Sequence, residues 1–209
     1  MVSRSSRQHE QSLRALGAAL GLAVAGLGTG CQREKPAPLP PAFEGISLVD
    51  QDGAALSGSS VSNRPLLVSF MFTSCPTVCP EQTEALAQVR DALPPEVRES
   101  VRFVSVSVDP ENDTPGALKQ FALAHHADDE GWSFVRSDVA GTQLLTTRLA
   151  ALDPAGSAPS AHNTSLYLFD RGGRLVQRYR GAPLDVPHLA RELVVLDDLK
   201  PSEARLARN

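Results

Sequence analysis

The feature that most limits the possible folds of this chain is an apolar run that ends just before two cysteines. Residues 66–72 are apolar except for Ser69, and such a run is typical of a strand covered on both faces of a sheet. Cys75 and Cys79 follow, and apolar side chains at helical spacing predict a helix over residues 80–93. The chain is therefore expected to turn from a central strand into a helix at the two cysteines. In open α/β sheets, ligands usually bind at this edge.

Strands and helices alternate over residues 43–196. A hairpin is expected at 43–57, around Asp50-Gln51-Asp52-Gly53. Further strands are predicted at 101–108, 164–169 and 175–179, and further helices at 115–125, 144–150 and 187–196. This order predicts an α/β, thioredoxin-like fold with an N-terminal hairpin and a central mixed sheet flanked by helices. The polar residues 197–209 are expected to form a loose tail.

The first 42 residues predict export rather than a folded core. Residues 1–30 begin with a basic segment and continue as a stretch of Ala, Gly, Leu and Val, which is the pattern of a secretory signal peptide. The segment Leu27-Gly28-Thr29-Gly30-Cys31 resembles a bacterial lipobox, which implies acylation of Cys31 and a lipoprotein anchored in the bacterial cell envelope, facing the periplasm or the exterior. Residues 31–42 then combine this cysteine with a proline-rich tether, for which an extended conformation is expected.

Charge and cysteine content exclude several classes of function. The formal net charge is −4 and the isoelectric point is near 5.7, so the chain lacks the general basic character of a nucleic-acid-binding protein. Three cysteines in 209 residues do not make a disulfide scaffold. With Cys31 assigned to the anchor, Cys75 and Cys79 are the only thiols of the exported domain.

The position of the two cysteines favours thiol chemistry. Cys79 is expected near the N-cap of the helix, with Pro80 at its first position. The unpaired N–H groups and the positive dipole end of a helix N-terminus favour thiolate over thiol. Metal binding and disulfide exchange both require a thiolate. A structural disulfide, or two buried thiols, is the alternative.

Four segments, in this order, resemble the SCO/SenC family of membrane-tethered, thioredoxin-like proteins that help to deliver copper to cytochrome c oxidase. The first segment contains both cysteines, and the last contains a histidine. The segments are Phe72-Thr73-Ser74-Cys75-Pro76-Thr77-Val78-Cys79-Pro80, residues 104–110 with Asp113-Thr114-Pro115, Gly131-Trp132-Ser133-Phe134, and residues 162–170.

This resemblance implies a copper site formed by Cys75, Cys79 and His162, with one copper per chain as Cu⁺ or Cu²⁺. Two thiolates and an imidazole suit both oxidation states. Asp109 either orients a ligand of this site or is an ordinary turn acid. Ala161 stands where the family usually has an acid just before the histidine. The implied partner is the copper subunit of cytochrome c oxidase or another exported copper protein.

The residues leave other functions open. A thiol–disulfide oxidoreductase would use Cys75 and Cys79 as a redox pair and would not need His162. Zinc is a further possibility, because two cysteines and a histidine can hold it with a water molecule. A peroxidase is disfavoured, since Thr73 lies two positions before Cys75 rather than three. The His125-His126 run beside three acids is expected to be a solvated helix end rather than a metal site.

Overall fold

The computed structural model describes residues 40–152, 159 and 161–199 of the chain. Its strands and helices alternate as predicted over most of this length. The elements, after a 3-10 turn at Pro41–Phe43, are β1 (Val49–Asp50), α1 (Gly58–Val61), β2 (Leu66–Met71), α2 (Val78–Ala92), α3 (Pro95–Ser100), β3 (Arg102–Ser107), α4 (Pro115–Ala124), β4 (Trp132–Arg136), α5 (Val139–Arg148), β5 (Ser165–Phe169), β6 (Leu175–Arg180) and α6 (Val186–Asp198).

The described strands form one six-stranded mixed sheet in the order β1-β4-β3-β2-β5-β6. The strands β2, β3 and β4 are parallel, and β1, β5 and β6 each pair antiparallel with their neighbour. All six residues of β2 are buried, which explains its almost unbroken apolar sequence. The predicted α/β fold with a central mixed sheet is confirmed. The predicted N-terminal hairpin is reduced to a tight turn, with Val49 bridging Ala55 while β1 pairs with β4.

Both faces of the sheet are covered. On one face, α2 packs against α6, and Phe121 of α4 packs against Phe134 of β4 with ring centroids 6.0 Å apart. On the other face, α5 contacts the Pro41–Phe43 turn, and the Phe43 ring lies 6.2 Å from that of Phe169. Trp132 and Phe134 belong to the core, because both are at most 1% exposed.

Several predicted boundaries were wrong. The strand β4 was not predicted, and α5 begins at Val139 rather than at position 144. The helix α3, which starts at Pro95, was not predicted either. Proline at a first helical position lacks only an N–H that would have had no partner there, and its fixed φ suits the helix.

The ends of the folded domain also extend further than expected. Pro40 is buried and Phe43 is 1% exposed, so the last residues of the predicted tether belong to the packed domain. At the other end, α6 continues to Asp198, and the carboxylate of Asp197 pairs with Arg171 at 2.5 Å. Residues 1–39 and 200–209, with the predicted signal peptide, Cys31 and most of the tail, lie outside the described residues. Within the described residues, we find no helix of the length and apolarity needed to cross a membrane.

Candidate metal centre

The two cysteines lie where β2 leads into α2, as predicted, but the helix begins earlier than expected. Its first residue is Val78, after Thr77 at the N-cap, so Cys79 is the second helical residue and Pro80 the third. Proline fits in the first turn because the N–H groups there have no partner within the helix. The N–H of Cys79 donates to the sulfur of Cys75 at 3.3 Å. The helix N-terminus therefore stabilises the Cys75 sulfur rather than that of Cys79.

The environments of the two thiols differ strongly. Cys75 is partly exposed, whereas Cys79 is 2% exposed. Burial raises the pKa of the Cys79 thiol far above its ordinary value, and the contact with Cys75 raises it further, while a backbone hydrogen bond from Phe72 opposes this only in part. The expectation that the helix N-terminus favours thiolate was wrong for Cys79. Desolvation by burial is the largest cause of the raised pKa of Cys79.

His162 reaches this corner from the segment before β5. Its Nε2 lies 3.8 Å from the sulfur of Cys79, and its Nδ1 lies 2.7 Å from the carbonyl oxygen of Pro159. The Phe72 ring stands edge-on to the imidazole, with centroids 5.5 Å apart. Burial lowers the pKa of His162 below its usual value. The ring is therefore neutral near pH 7, with Nδ1–H donating to Pro159 and the lone pair of Nε2 directed at the thiol pair.

The segment that carries His162 is fixed to α2 by a buried side chain. Gln82 is 5% exposed, and its Nε2 donates to the carbonyl oxygen of Thr164 at 2.7 Å. Gly181, just after β6, closes over this contact, because a Cβ at that position would lie 2.0 Å from both the Gln82 Nε2 and the Thr164 oxygen. The absence of a side chain at Gly181 thus permits the histidine segment to pack against α2.

A buried carboxylate that sequence reasoning did not single out holds the loop before Cys75. Asp113 is 1% exposed, and it accepts hydrogen bonds from the Thr73 N–H at 3.1 Å, the Thr73 hydroxyl at 2.5 Å and the Ser107 hydroxyl at 2.5 Å. By contrast, the carboxylate of Asp109 accepts from Asn112 at 2.9 Å. The available signal for Asp113 was its place before Thr114-Pro115, which indicated only a helix start. The predicted role of Asp109 toward a ligand stays a prediction.

His125, at the end of α4, has other partners. The Nδ1 of His125 lies 3.0 Å from Glu84 Oε1, and its ring packs against that of Phe121. The neighbouring Asp129 forms ion pairs with Arg90 and Arg98. This part of the surface is a helix end held by ion pairs.

The donor set of the corner fits copper chemically. Two sulfurs and a neutral imidazole nitrogen are donors that Cu⁺ accepts, and Cys with His also suits Cu²⁺. The hydrogen bond from Nδ1 to a backbone carbonyl is the usual support of a metal-binding histidine. Within the ranges that the structure describes, no group of three Cys, His, Asp or Glu side chains stands already close enough to enclose a metal ion. Metal binding at this corner therefore requires small side-chain movements.

Fold and site together define the class: a thioredoxin-like domain with a thiol pair and a histidine at the carboxyl edge of its central strand. A sequence model described as SCO1/SenC matches residues 34–195. This match covers most of the chain, and the protein belongs to the SCO1/SenC family.

Individual relatives agree with this assignment. The SCO1 protein homolog of Bacillus subtilis is 32% identical over 148 residues, which is 69% of this chain and 76% of the relative. The copper-bound structure of Bradyrhizobium japonicum ScoI is 26% identical, with a TM-score of 0.61 over 72% of this chain and 96% of ScoI. BsSco, described as a member of the Sco family of cytochrome c oxidase assembly proteins with a disulfide switch, is 26% identical, with a TM-score of 0.64 over 80% of this chain and 98% of BsSco.

Proposed function

We propose that this protein is an exported, membrane-tethered copper protein that delivers copper to the copper site of cytochrome c oxidase. One copper ion, as Cu⁺ or Cu²⁺, would bind Cys75, Cys79 and His162. The observation that carries the proposal is the position of His162, whose Nε2 lies 3.8 Å from the Cys79 sulfur. The copper-bound ScoI and the oxidase-assembly family of BsSco support the choice of metal and recipient.

The geometry suits a protein that gives up its cargo. Cys79 and His162 provide the inner donors, and the partly exposed Cys75 provides a donor that a recipient thiol or imidazole can replace. Because burial keeps the Cys79 thiol protonated, copper uptake displaces a proton from it. His162 is neutral and adds no proton to this exchange at pH 7. Transfer then proceeds by stepwise exchange of ligands, with no substrate turnover.

Anaerobic titration of the reduced protein with copper tests the ligand set. We expect one copper per chain and, for Cu²⁺, a thiolate charge-transfer band. Cys75→Ala and Cys79→Ala should each abolish the band, and His162→Ala should shift or abolish it. His188→Ala, an exposed histidine on α6, is the matched control and should leave it unchanged. A band that persists unaltered in His162→Ala would overturn the three-ligand site. Competition with zinc in the same titration decides between the two metals.

The anchor is proposed from the sequence before Cys31. Acylation of that cysteine would place the protein in the membrane fraction of the bacterial envelope, with the domain held off the surface by the tether. Cell fractionation of the wild-type chain and of Cys31→Ser tests this directly. We expect the variant to leave the membrane fraction and to lack the mass of the lipid. Retention of the variant in that fraction would exclude lipid as the anchor.

A second candidate function is thiol–disulfide exchange on the oxidase subunit or another exported protein. The observation that favours it is the asymmetry of the pair, because a partly exposed Cys75 suits the attacking thiol and a buried Cys79 suits the resolving thiol. The disulfide switch named for BsSco is consistent with this chemistry. Full oxidase assembly in cells that carry only His162→Ala would favour this function. Loss of assembly in that strain, with both cysteines intact, would favour copper delivery.

A further inference from the structure

A basic stretch stands out against the acidic composition of the chain. The formal net charge is −4, yet residues 171–184, which include all of β6, contain four arginines and no acid. This stretch forms the edge of the sheet, because β6 is the last strand in the order. These arginines are therefore the candidates for a positively charged surface on an otherwise acidic protein.

Two of these arginines form ion pairs. Arg171 pairs with Asp197, and Arg174 pairs with Asp170. Arg178 and Arg180 are exposed, and neither forms an ion pair with any residue in the described part of the chain.

The Arg178 side chain is nevertheless held in place. Its guanidinium lies over the ring of Tyr167, 5.5 Å from the centroid, and its Nε donates to the Ser165 hydroxyl at 2.9 Å. Tyr167 is fully buried and so provides a rigid support. An arginine fixed in this way loses less side-chain entropy when it binds a carboxylate than a freely moving one would.

Arg180 lies near the end of the sheet where β2 leads into the cysteines, and Arg178 lies two residues further from that end, level with Val68 of β2. Arg180 pairs with Ser165 in the register of β5 and β6, and Ser165 is three residues after His162. The start of β5 lies beside the end of β2, because the two strands are antiparallel. Two strand spacings separate β2 from β6, which corresponds to about 10 Å across the sheet. The side chains of 178 and 180 both point to the face of the sheet that carries Tyr167, since side chains alternate along a strand.

We propose that Arg178 and Arg180 form a docking surface for an acidic surface of the partner protein that exchanges with Cys75. Carboxylates next to the reacting thiol of the partner would pair with these guanidinium groups and orient that thiol toward Cys75. Such pairing mainly raises the rate at which the two proteins meet in a productive orientation. This increase in rate becomes smaller as the salt concentration rises. The inference deepens the proposed function, and it holds whether copper or a disulfide is exchanged.

Thiol–disulfide exchange with short peptides tests the surface without copper. The protein carries Cys31→Ser and Cys79→Ala, so that Cys75 is its single thiol. The probes are two ten-residue peptides of otherwise identical sequence, one with four Glu residues and one with Gln at the same four positions. Each peptide has a single cysteine, which forms a mixed disulfide with mercaptoethanol. The Cys75 thiolate attacks the peptide sulfur, the protein–peptide disulfide forms, and mercaptoethanol leaves as the thiolate. Mass spectrometry follows the adduct over time.

At about 10 mM ionic strength, where charges interact over about 30 Å, we expect the Glu peptide to react about tenfold faster than the Gln peptide. The ratio should approach one in about 0.5 M salt, where screening is strong, and in Arg178→Glu/Arg180→Glu. Arg178→Glu and Arg180→Glu should each lower the ratio, and Arg191→Glu, at an exposed arginine on α6, carries the same charge change as either single variant and should leave the ratio unchanged. The rate with neutral hydroxyethyl disulfide should be the same in every variant, which shows that Cys75 itself is intact.

Equal rates for the two peptides at low salt would overturn the proposal. An equal loss in Arg191→Glu would also overturn it, because net charge rather than this surface would then be responsible. The test is separate from that of copper binding. If the wild-type chain binds no copper but keeps the peptide preference, the copper proposal fails and the docking surface stands. If copper binds normally and the peptide preference is absent, the docking surface fails and the copper proposal stands.

Discussion

The loop before Cys75 depends on Asp113, and removing this carboxylate should loosen the proposed metal centre as well as the fold. Asp113→Ala leaves three hydrogen-bond donors without their acceptor, namely the Thr73 N–H and the hydroxyls of Thr73 and Ser107. A lost hydrogen bond to a charged acceptor costs about 1.5–3 kcal/mol, and the two hydroxyls can find partial replacements by rotation. We expect a loss of about 3–5 kcal/mol in the free energy of unfolding. Asp113→Asn keeps one acceptor oxygen and should lose about 1–2 kcal/mol.

Two measurements separate the effect on the fold from the effect on the site. Urea unfolding, followed by the fluorescence of Trp132, the single tryptophan, gives the change in stability. Competition with a coloured Cu⁺ chelator, under reducing conditions and below the unfolding transition, gives the copper affinity. Because Thr73 is two residues before Cys75, we expect Asp113→Ala to weaken copper binding by about tenfold, in the range found when groups that orient metal ligands are removed.

Asp170→Ala is the matched control. Asp170 is also a buried carboxylate, and it accepts N–H bonds from Gly172 and Arg174 at 3.0 Å. It follows β5, at the opposite edge of the sheet from the cysteines. This variant should lose comparable stability and keep wild-type copper affinity. If Asp113→Ala loses less than about 1 kcal/mol, or if its copper affinity changes no more than that of Asp170→Ala, then Asp113 does not position the cysteine loop.

Two further predictions concern the body of the domain. Burial alone would raise the pKa of Asp129, but hydrogen bonds from Arg98 and from a backbone N–H hold this pKa below its usual value. The ionised carboxylate of Asp129 therefore contributes to stability above about pH 4, and this contribution decreases as the pH falls through the lowered pKa. Urea unfolding from pH 3 to 7 should show a stability difference between wild type and Asp129→Asn that shrinks on acidification, whereas Asp91→Asn, at a 71% exposed side chain, should differ little from wild type at any pH. Gly181→Ala should destabilise the fold by more than 2 kcal/mol in the same assay and displace the histidine segment, because the new Cβ would overlap its neighbours. Gly116 lies in the first turn of α4, where an added Cβ would have no non-neighbouring atom nearer than 4.0 Å. Gly116→Ala should therefore stabilise the fold by about 0.5–1 kcal/mol. A loss of stability in this variant would contradict this account of the two glycines.

The local sequence was sufficient to predict strands, helix starts and the family where the signal comes from a few neighbouring residues. The apolar run of β2 predicted a strand covered on both faces because each of its residues is in fact buried. The start of α4 was likewise readable, since Thr114 caps the helix and Pro115 fills its first turn. Family membership also followed from the sequence, because the four segments that carry the resemblance, including the one with Cys75 and Cys79, are each a local pattern.

The sequence was insufficient to predict those elements and residue roles that depend on packing between distant parts of the chain. The strand β4 is only five residues long, and it is a strand because it pairs with β3 and β1, which no local pattern reports. Likewise, only tertiary packing distinguishes Asp113, which holds the cysteine loop, from Asp109, which lies four residues earlier.

The sequence by itself determined which residues supply thiol chemistry and where along the chain they occur. The tertiary structure decided how those residues differ. It brought His162 to Cys79 across 83 residues of sequence, and it buried Cys79 while leaving Cys75 partly exposed. The physical reason is that desolvation and contact between distant segments depend on the packed assembly of strands and helices, whereas residue type and spacing are properties of the chain alone.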